Sequence, residues 1–431
     1  MSPLPRQSEE NDDWALTLDL DAPSDTVPQG RVQLLPGERL PLDSVGSGLA
    51  HLDSEDPIRR GQSDFRIVTE QARYQVAQIP DLVASDEWNL NPDFQRRHRW
   101  DNAKRSRLIE SIMLNVPIPP IFLYEAELSR FEVMDGLQRL TAISEFYRDT
   151  FVLEGLEYFP DLNGKSFSAL DEVDRRGIGR RYLSAVILLH ETGKSPEEAN
   201  LLKQLVFERI NSGGIDLTPQ ESRNALLPGA MNTLCLLLAE NPNFRRLWGI
   251  APSEEAIAEG VLYPTTPEKS PLYRSMYDVE LVLRFFAYRQ RLAGISGRPR
   301  NLRGFLDAYL QAANHYKKDL LSDLRSLFEN TAQLVEQVLG YRAFWLFRQR
   351  RGVWQWIEEP AVVAYEPIML AFSQRLDRAE DLVFKRNEIR GALEEFYKSF
   401  GDKIDGRKVN TKDLEARNSL YLEFLDSILG N

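Results

Sequence analysis

The stretch that decides the fold of the first half of this chain is Asp135-Gly136-Leu137-Gln138-Arg139. It follows the alternating run Arg130-Phe131-Glu132-Val133-Met134, whose period of two predicts a half-buried strand. It precedes residues 140–147, where apolar side chains recur with helical spacing. The sequence therefore predicts a strand that turns sharply into a helix.

The chemistry of this turn favours an anion. A helix start exposes backbone N–H groups and the positive end of the helix dipole. Gly136 lets a ligand approach the backbone, while Gln138 and Arg139 add an amide and a guanidinium group. The turn is thus a candidate phosphate site. Asp135 either ligates Mg²⁺ beside the phosphates or caps the helix, and the sequence leaves both roles open.

A second polar stretch, residues 91–100, combines basic side chains with Trp100. Such a cluster can stack a base and hold phosphates. The alternative is a solvated loop with a buried Trp. The residues singled out here are Gln95, Arg96, Arg97 and Arg99.

These motifs, taken in order, resemble the N-terminal domain of GmrSD-type restriction enzymes, a family related to the ParB/sulfiredoxin fold. The resemblance covers about residues 70–230. It rests on Gln95-Arg96 with Trp100, Pro117-Ile118-Pro119, Asp135 to Arg139, Leu162 to Phe167, Phe207 to Gly214, and Leu217 to Glu221.

The resemblance implies a nucleotide site with Mg²⁺ as the expected cofactor and a nucleoside triphosphate as substrate or ligand. Its phosphate-binding residues would be Gln95, Arg96, Gly136, Gln138, Arg139 and Asn211. Its catalytic residues would be Asp135, Gln138 and Arg139, with Asp135 also the metal ligand, and Arg97 and Arg99 would contact DNA.

The chain departs from the family's commonest motif, Asp-Gly-Gln-Gln-Arg, at one position. Leu137 stands where the first Gln would be. Leu cannot orient a water molecule or bond a phosphate, so turnover that depends on that amide is in question. Binding by Gln138 and Arg139 is less affected.

Composition indicates an ordinary globular protein, with 431 residues, 42% hydrophobic and 27% charged. The one cysteine, Cys235, excludes an intramolecular disulfide and is expected to be a small buried apolar residue. No apolar run is long enough to span a membrane and no signal peptide is evident, so a cytoplasmic location is expected. The net charge of −12 argues against bulk coating of DNA.

The negative charge is concentrated at the N-terminus. Residues 1–60 hold five Arg and twelve Asp or Glu, with little periodicity. They predict a partly disordered acidic arm that proteolysis would trim first. A further role for the arm would be to cover a basic nucleic-acid site.

The predicted fold class is α+β, with a small ParB/sulfiredoxin-like mixed domain followed by a larger all-helical one. The predicted segments are the arm over 1–64, the mixed domain over 65–194, helices completing the site over 195–249, a linker over 250–271, and the helical domain over 272–431.

We expect an enzyme, a nucleoside triphosphatase that serves a prokaryotic restriction or anti-phage system. The alternatives are a nucleotide-gated DNA clamp or sensor without turnover, and a weak DNA-nicking nuclease. Expected partners are DNA, a separate nuclease or defence subunit and a second copy of the chain, with no membrane contact. As an exposed phosphate ligand, Arg139 could be removed with little effect on stability.

Overall fold

The computed structural model describes residues 32–39, 67–90, 100–189, 202–203, 205–207, 209–210, 218–250, 270–293, 301–404 and 411–430. The chain divides into two compact units. A mixed unit comprises residues 51–228 and 273–276, and a helical unit comprises residues 1–50, 229–272 and 277–431.

The mixed unit is built on a five-stranded sheet in the order β1-β5-β3-β4-β2. The β1–β5 and β3–β4 pairs are antiparallel, whereas β5–β3 and β4–β2 are parallel. The strands are β1 (Thr69–Gln75), β2 (Trp88–Asn89), β3 (Ile121–Glu127), β4 (Arg130–Asp135) and β5 (Tyr182–Leu188).

One face of this sheet carries the main core of the mixed unit. Ile121 and Leu123 of β3 and Val133 of β4 point into it, as the alternation along a strand requires. The helices of the unit are α1 (Ile79–Ala84), α2 (Asn102–Leu114), α3 (Leu137–Tyr147), α4 (Glu172–Gly179) and α5 (Pro219–Leu226). The first four contribute buried side chains to this core.

The opposite face of the sheet has a smaller apolar cluster. Tyr124, Met134 and Leu188 point to this side and pack with Phe207, which lies in a helical stretch. Ala225 and Leu226 of α5 also pack there. The sheet is therefore covered on both faces.

The period-two and helical patterns predict strands over residues 74–77, 87–89, 121–124, 131–134 and 183–188, and helices over 104–114, 138–148 and 167–175. All of them are present, with three differences. The first strand lies earlier in the chain, at Thr69–Gln75, and residues 76–78 form a 3-10 turn. The helix expected from Phe167 begins instead at Glu172, because the Asp171 carboxylate accepts from the Asp174 N–H and caps it there. The short helix α1 was not expected. Thr218-Pro219-Gln220-Glu221 predicts a capping box at the start of α5. The structure confirms it, since the side chains of Thr218 and Glu221 each accept a hydrogen bond from the other's backbone N–H.

The helical unit has nine helices of six or more residues in its described part. They are α6 (Ala230–Leu238), α7 (Pro242–Leu247), α8 (Tyr277–Leu292), α9 (Leu302–Ala313), α10 (Lys318–Leu339), α11 (Val362–Ser373), α12 (Ala379–Phe384), α13 (Arg386–Phe400) and α14 (Thr411–Leu429). None of the described helices is both long and apolar enough to cross a membrane.

Two features of the helical unit differ from the sequence prediction. It contains an antiparallel hairpin of β6 (Leu346–Arg350) and β7 (Val353–Ile357), so it is not purely helical. Its alternating Trp354 and Trp356 pack on Phe347, and this period of two is typical of a strand rather than a helix. The helical unit also includes the residues from Gly229 onward, which were predicted to belong to the separate segment 195–249. They belong to this unit because α6 packs against α8 and α10.

The central helix α8 is buried along its length, although it carries several charged side chains. Buried charges require partners. Arg284 lies between two carboxylates, 2.8 Å from Glu280 and 3.0 Å from Glu366. Burial raises the pKa of Glu366, and the neighbouring Arg284 opposes that shift.

Residues 32–39, inside the predicted acidic arm, are also packed into the helical unit. Leu35-Pro36-Gly37-Glu38 forms a tight turn, closed by the Glu38 N–H on the Leu35 carbonyl at 3.0 Å. Gly37 supplies the positive φ of +84° that the turn needs.

This turn presents Glu38 to α8. The Arg289 guanidinium donates to both carboxylate oxygens of Glu38, at 2.7 and 2.9 Å. The side chain of Glu38 is fully buried and that of Arg289 is 3% exposed. Gln290 and Tyr316 donate to the Glu38 carbonyl. The arm thus includes an anchored segment, which the sequence did not reveal because its partners lie some 250 residues away.

We expect Glu38→Gln to destabilise the helical unit by about 3 kcal/mol, because removing the carboxylate charge leaves the Arg289 charge buried without an opposite charge. Urea denaturation followed by near-ultraviolet circular dichroism measures the loss. Glu329→Gln, which breaks an exposed pair with Arg325, is the matched control and should change stability by less than about 1 kcal/mol. Equal losses in the two variants would contradict the anchoring role.

Candidate functional site

The predicted turn lies between the end of β4 and the start of α3. Gly136 takes a left-handed conformation with φ 98° and ψ 6°. A Cβ at this position would lie 2.4 Å from Cγ2 of Ile121 on β3. Glycine is therefore required both by the backbone angle and by the close approach to the neighbouring strand.

Among the described residues, no side chain caps the start of α3 at Gly136. The first N–H groups of the helix are thus left for other partners. Asp135, the alternative cap, instead directs Oδ2 to Arg139 at 2.6 Å. This half-exposed carboxylate leaves its second oxygen for another partner.

Arg139 occupies a different environment from the one expected. The residue is only 9% exposed, and besides Asp135 it donates through one nitrogen to the carbonyls of Pro119 and Pro120. It is a brace between the end of β4 and the loop before β3. The prediction that Arg139 is exposed at the helix start is wrong. Arg139 lies one turn after Asp135, and its side chain points to the side of the helix where the Asp135 carboxylate and the Pro119 and Pro120 carbonyls lie.

Gln138 connects the turn to the second predicted motif. Its side-chain oxygen accepts from the backbone N–H of Trp100 at 3.2 Å. Trp100 is partly buried against the main core, and the Lys104 ammonium lies 5.2 Å from its ring centre. Trp100, which directly follows residues 91–99, is therefore held next to the candidate phosphate site.

Several predicted site residues lie outside the described residues. They are Gln95, Arg96, Arg97, Arg99 and Asn211. Their part in the site stays a prediction. The helical stretch before Asn211 packs, through Phe207, on the face of the sheet opposite to α3.

Leu137 is part of the main core, with 6% of its surface exposed. The first residue of α3 points inward rather than toward a ligand. The departure from the family motif thus replaces an amide by a packed apolar side chain.

An ion pair on the other face of the sheet was missed by the sequence reasoning. Lys203 binds Glu132 of β4, and its ammonium lies 5.0 Å from the Tyr124 ring centre. Burial, followed by the charge of Glu132, raises the pKa of Tyr124. A cavity of about 60 Å³ beside this pair has room for water but not for a nucleotide.

The donor set for a metal is small. Within the described residues, no three His, Cys, Asp or Glu side chains group as a metal site. A single carboxylate is nevertheless enough for Mg²⁺ that arrives on phosphates and keeps most of its water ligands. Asp135 fits that limited role through its second oxygen.

Cys235 lies in the helical unit and is fully buried, as expected. Burial raises the pKa of its thiol well above the usual value. A protonated, enclosed thiol is not a nucleophile, so Cys235 is a packing residue.

Comparison with protein families identifies the mixed unit. Residues 79–228 match the GmrSD restriction endonuclease N-terminal domain. This part of the chain is a GmrSD-type N-terminal domain. The match runs from the start of α1 to the end of the mixed unit, in agreement with the resemblance seen in the motifs.

The match over residues 79–228 suggests a component of a restriction or defence system, and a domain of such a system implies an interaction with DNA. Comparison with curated proteins and with solved structures gave no match.

The burial of Arg139 changes the expected effect of removing it. Arg139→Ala should lower the free energy of unfolding by about 1–3 kcal/mol, because three acceptors would be left without their donor. Arg130→Ala, which removes an exposed Arg from the β3–β4 hairpin, should change it by no more than about 0.5 kcal/mol. Chemical denaturation of the two variants tests the brace, and an Arg139→Ala protein as stable as Arg130→Ala would refute it.

Proposed function

We propose that the GmrSD-type domain binds the phosphates of a nucleoside triphosphate at the Asp135–Arg139 turn. We further propose that it hydrolyses the nucleotide to license DNA recognition or cleavage within a restriction system. The observation that carries this proposal is the start of α3, a helix end with no side-chain cap beside the partly exposed Asp135 and Gln138 of the family's motif.

The described residues of the turn would have different roles in the site. The N–H groups of α3 and the amide of Gln138 would contact phosphate oxygens. Arg139 holds Asp135 and the Pro119–Pro120 loop in place, and its positive charge lies beneath the turn. Preorganised dipoles and charge of this kind stabilise negative charge that develops during phosphoryl transfer.

Asp135 would supply one ligand to Mg²⁺, whose chemistry is to offset the charge of the phosphates. Its Oδ2 accepts from Arg139, so its other oxygen would be the one left to hold the metal. Gln95, Arg96 and Asn211 would close the site, with Arg97 and Arg99 on DNA, as the family resemblance implies.

Gln138→Ala should weaken nucleotide binding about ten- to a hundredfold, since a hydrogen bond to a charged group contributes about 1.5–3 kcal/mol. Removing the hydrogen bond to Trp100 should destabilise the fold by only about 1 kcal/mol. Isothermal titration calorimetry with ATP and GTP, each with Mg²⁺, measures the affinity. Gln355→Ala, at an exposed position of β7, is the control. Unchanged affinity in Gln138→Ala would place the phosphate site elsewhere.

Asp135→Asn tests the contribution of the metal to nucleotide binding separately from that of the phosphate contacts. The amide oxygen can still accept from Arg139, but the charge that attracts Mg²⁺ is gone. Nucleotide affinity without Mg²⁺ should therefore stay near that of the wild type, while the gain on adding Mg²⁺ disappears. An equal gain in both proteins would remove Asp135 from the metal site.

A second candidate function, a nucleotide-gated DNA sensor without turnover, is favoured by one observation. Leu137 is packed in the core, so the turn lacks the first amide of the family motif. Phosphate release during incubation with nucleotide, Mg²⁺ and DNA distinguishes the two functions. Binding without release supports the sensor.

A further inference from the structure

A groove of about 1030 Å³ lies in the mixed unit at the far end of α3 from the phosphate-site candidate. Tyr147, the last residue of α3, lines it, whereas the turn lies at the first residue. With 11 residues at about 1.5 Å each, the helix separates the two places by roughly 15 Å. The groove is therefore distinct from the nucleotide site.

The charged wall of the groove is provided by α4. Its first turn has Glu172 and Asp174, and the rest of the helix and its C-cap bring Arg175, Arg176 and Arg180 to the lining. Arg176 forms a pair with Glu172 at 3.5 Å, with both side chains 71% exposed, so solvent screens this pair strongly.

Arg175 and Arg180 have no ion-pair or hydrogen-bond partner for their guanidinium groups among the described residues. Two guanidinium groups without a partner among the described residues thus share one concave surface with the Asp174 carboxylate, in a protein with a net charge of −12. Such groups attract anions, and phosphate is the anion that guanidinium geometry suits best.

The aromatic wall faces this charge. Tyr147 stacks on Phe167, with ring centres 4.1 Å apart and planes inclined by 24°. Phe159 also lines the groove and is partly exposed. Aromatic rings beside a basic surface are the usual platform for unpaired bases.

The Tyr147 hydroxyl is a second, independent sign of a ligand. It is buried and has no hydrogen-bond partner among the described residues. Burial raises the pKa of Tyr147 to about 12, so the hydroxyl keeps its proton at neutral pH and can donate it. Buried polar groups normally have a partner, and a base or phosphate oxygen would provide one.

Gly179, the last residue of α4, lies beside this hydroxyl, and a Cβ at that position would lie 3.5 Å from the Tyr147 oxygen. Gly177 also lines the groove, and a Cβ there would have no neighbour within 4 Å.

We propose that this groove binds a single-stranded segment of DNA. Arg175 and Arg180 contact its phosphates, Phe159 and the Tyr147–Phe167 pair contact its bases, and the Tyr147 hydroxyl donates to one of them. A duplex fits less well, because its bases are stacked on each other and do not reach aromatic rings at the bottom of a groove. The proposal specifies the DNA contact of the restriction-system domain and does not require nucleotide at the turn.

Fluorescence anisotropy of the full chain with a labelled oligo-dT of about 15 nucleotides tests this, since a groove of this kind takes on the order of 4–16 nucleotides. The charge reversal Arg175→Glu with Arg180→Glu should weaken binding at least tenfold. It should also reduce the slope of log affinity against log salt by about 1.4, because each phosphate that an Arg no longer neutralises accounts for about 0.7 of that slope.

The matched control is Arg130→Glu with Arg325→Glu, which changes the net charge equally at exposed positions outside the groove. It should stay within about threefold of the wild type. Equal weakening in both double variants would show a bulk charge effect and overturn the proposal. Preference for a hairpin duplex of equal length, unaffected by the groove variant, would overturn it as well.

Tyr147→Phe isolates the hydroxyl because the ring stays stacked on Phe167. A three- to tenfold loss of oligonucleotide affinity is expected without a loss of thermal stability. Unchanged affinity would remove the hydroxyl from the binding site.

Cross-measurements keep the two sites separate. The groove variants should bind ATP or GTP as the wild type does, and Gln138→Ala should keep its affinity for oligo-dT. If nucleotide binding proves absent while the groove variants still bind DNA more weakly than the wild type, the groove proposal stands and the nucleotide site fails.

Discussion

The candidate site depends on the hydrogen bonds of one guanidinium group. Arg139 joins the end of β4, through Asp135, to the Pro119–Pro120 loop that leads into β3. These two segments meet where Gly136 passes within contact distance of Ile121. Without a donor at this point, two carbonyls and a carboxylate would be left partly buried and unpaired. The turn that opens α3 therefore keeps its shape because Arg139 fills the space beneath it.

This arrangement gives the motif two kinds of residue. Gly136 and Arg139 determine the shape of the turn, whereas Gln138 and Asp135 remain partly exposed at its surface. Leu137 belongs to neither group, since it packs in the core. A motif with four predicted site residues, Asp135, Gly136, Gln138 and Arg139, is thus mainly a structural support that presents two side chains and the start of a helix. The sheet beneath it has both faces covered by packed side chains.

The helical unit differs from the mixed unit because it buries charged side chains and pairs them with buried side chains of opposite charge. Arg284 lies between Glu280 and Glu366, and Arg289 is paired with Glu38 from a segment far away in sequence. Buried pairs of this kind add little net stability over apolar packing, but they strongly disfavour arrangements that leave a charge alone. The N-terminal segment is accordingly part of the fold of this unit, and not only an acidic extension.

The sequence by itself determined most elements of the mixed unit and the resemblance to the family. Period-two and helical patterns located β3, β4, β5, α2 and α3, and the capping box at Thr218 located α5, because these signals are local. What only the tertiary structure decided were the partners. The burial of Arg139 depends on two proline carbonyls about twenty residues earlier, the anchoring of Glu38 depends on α8, and the groove of α4 depends on Tyr147 at the end of α3. Exposure and pairing are set by segments that are distant in the chain, so no local pattern could have shown whether Arg139 faces a ligand or supports the turn.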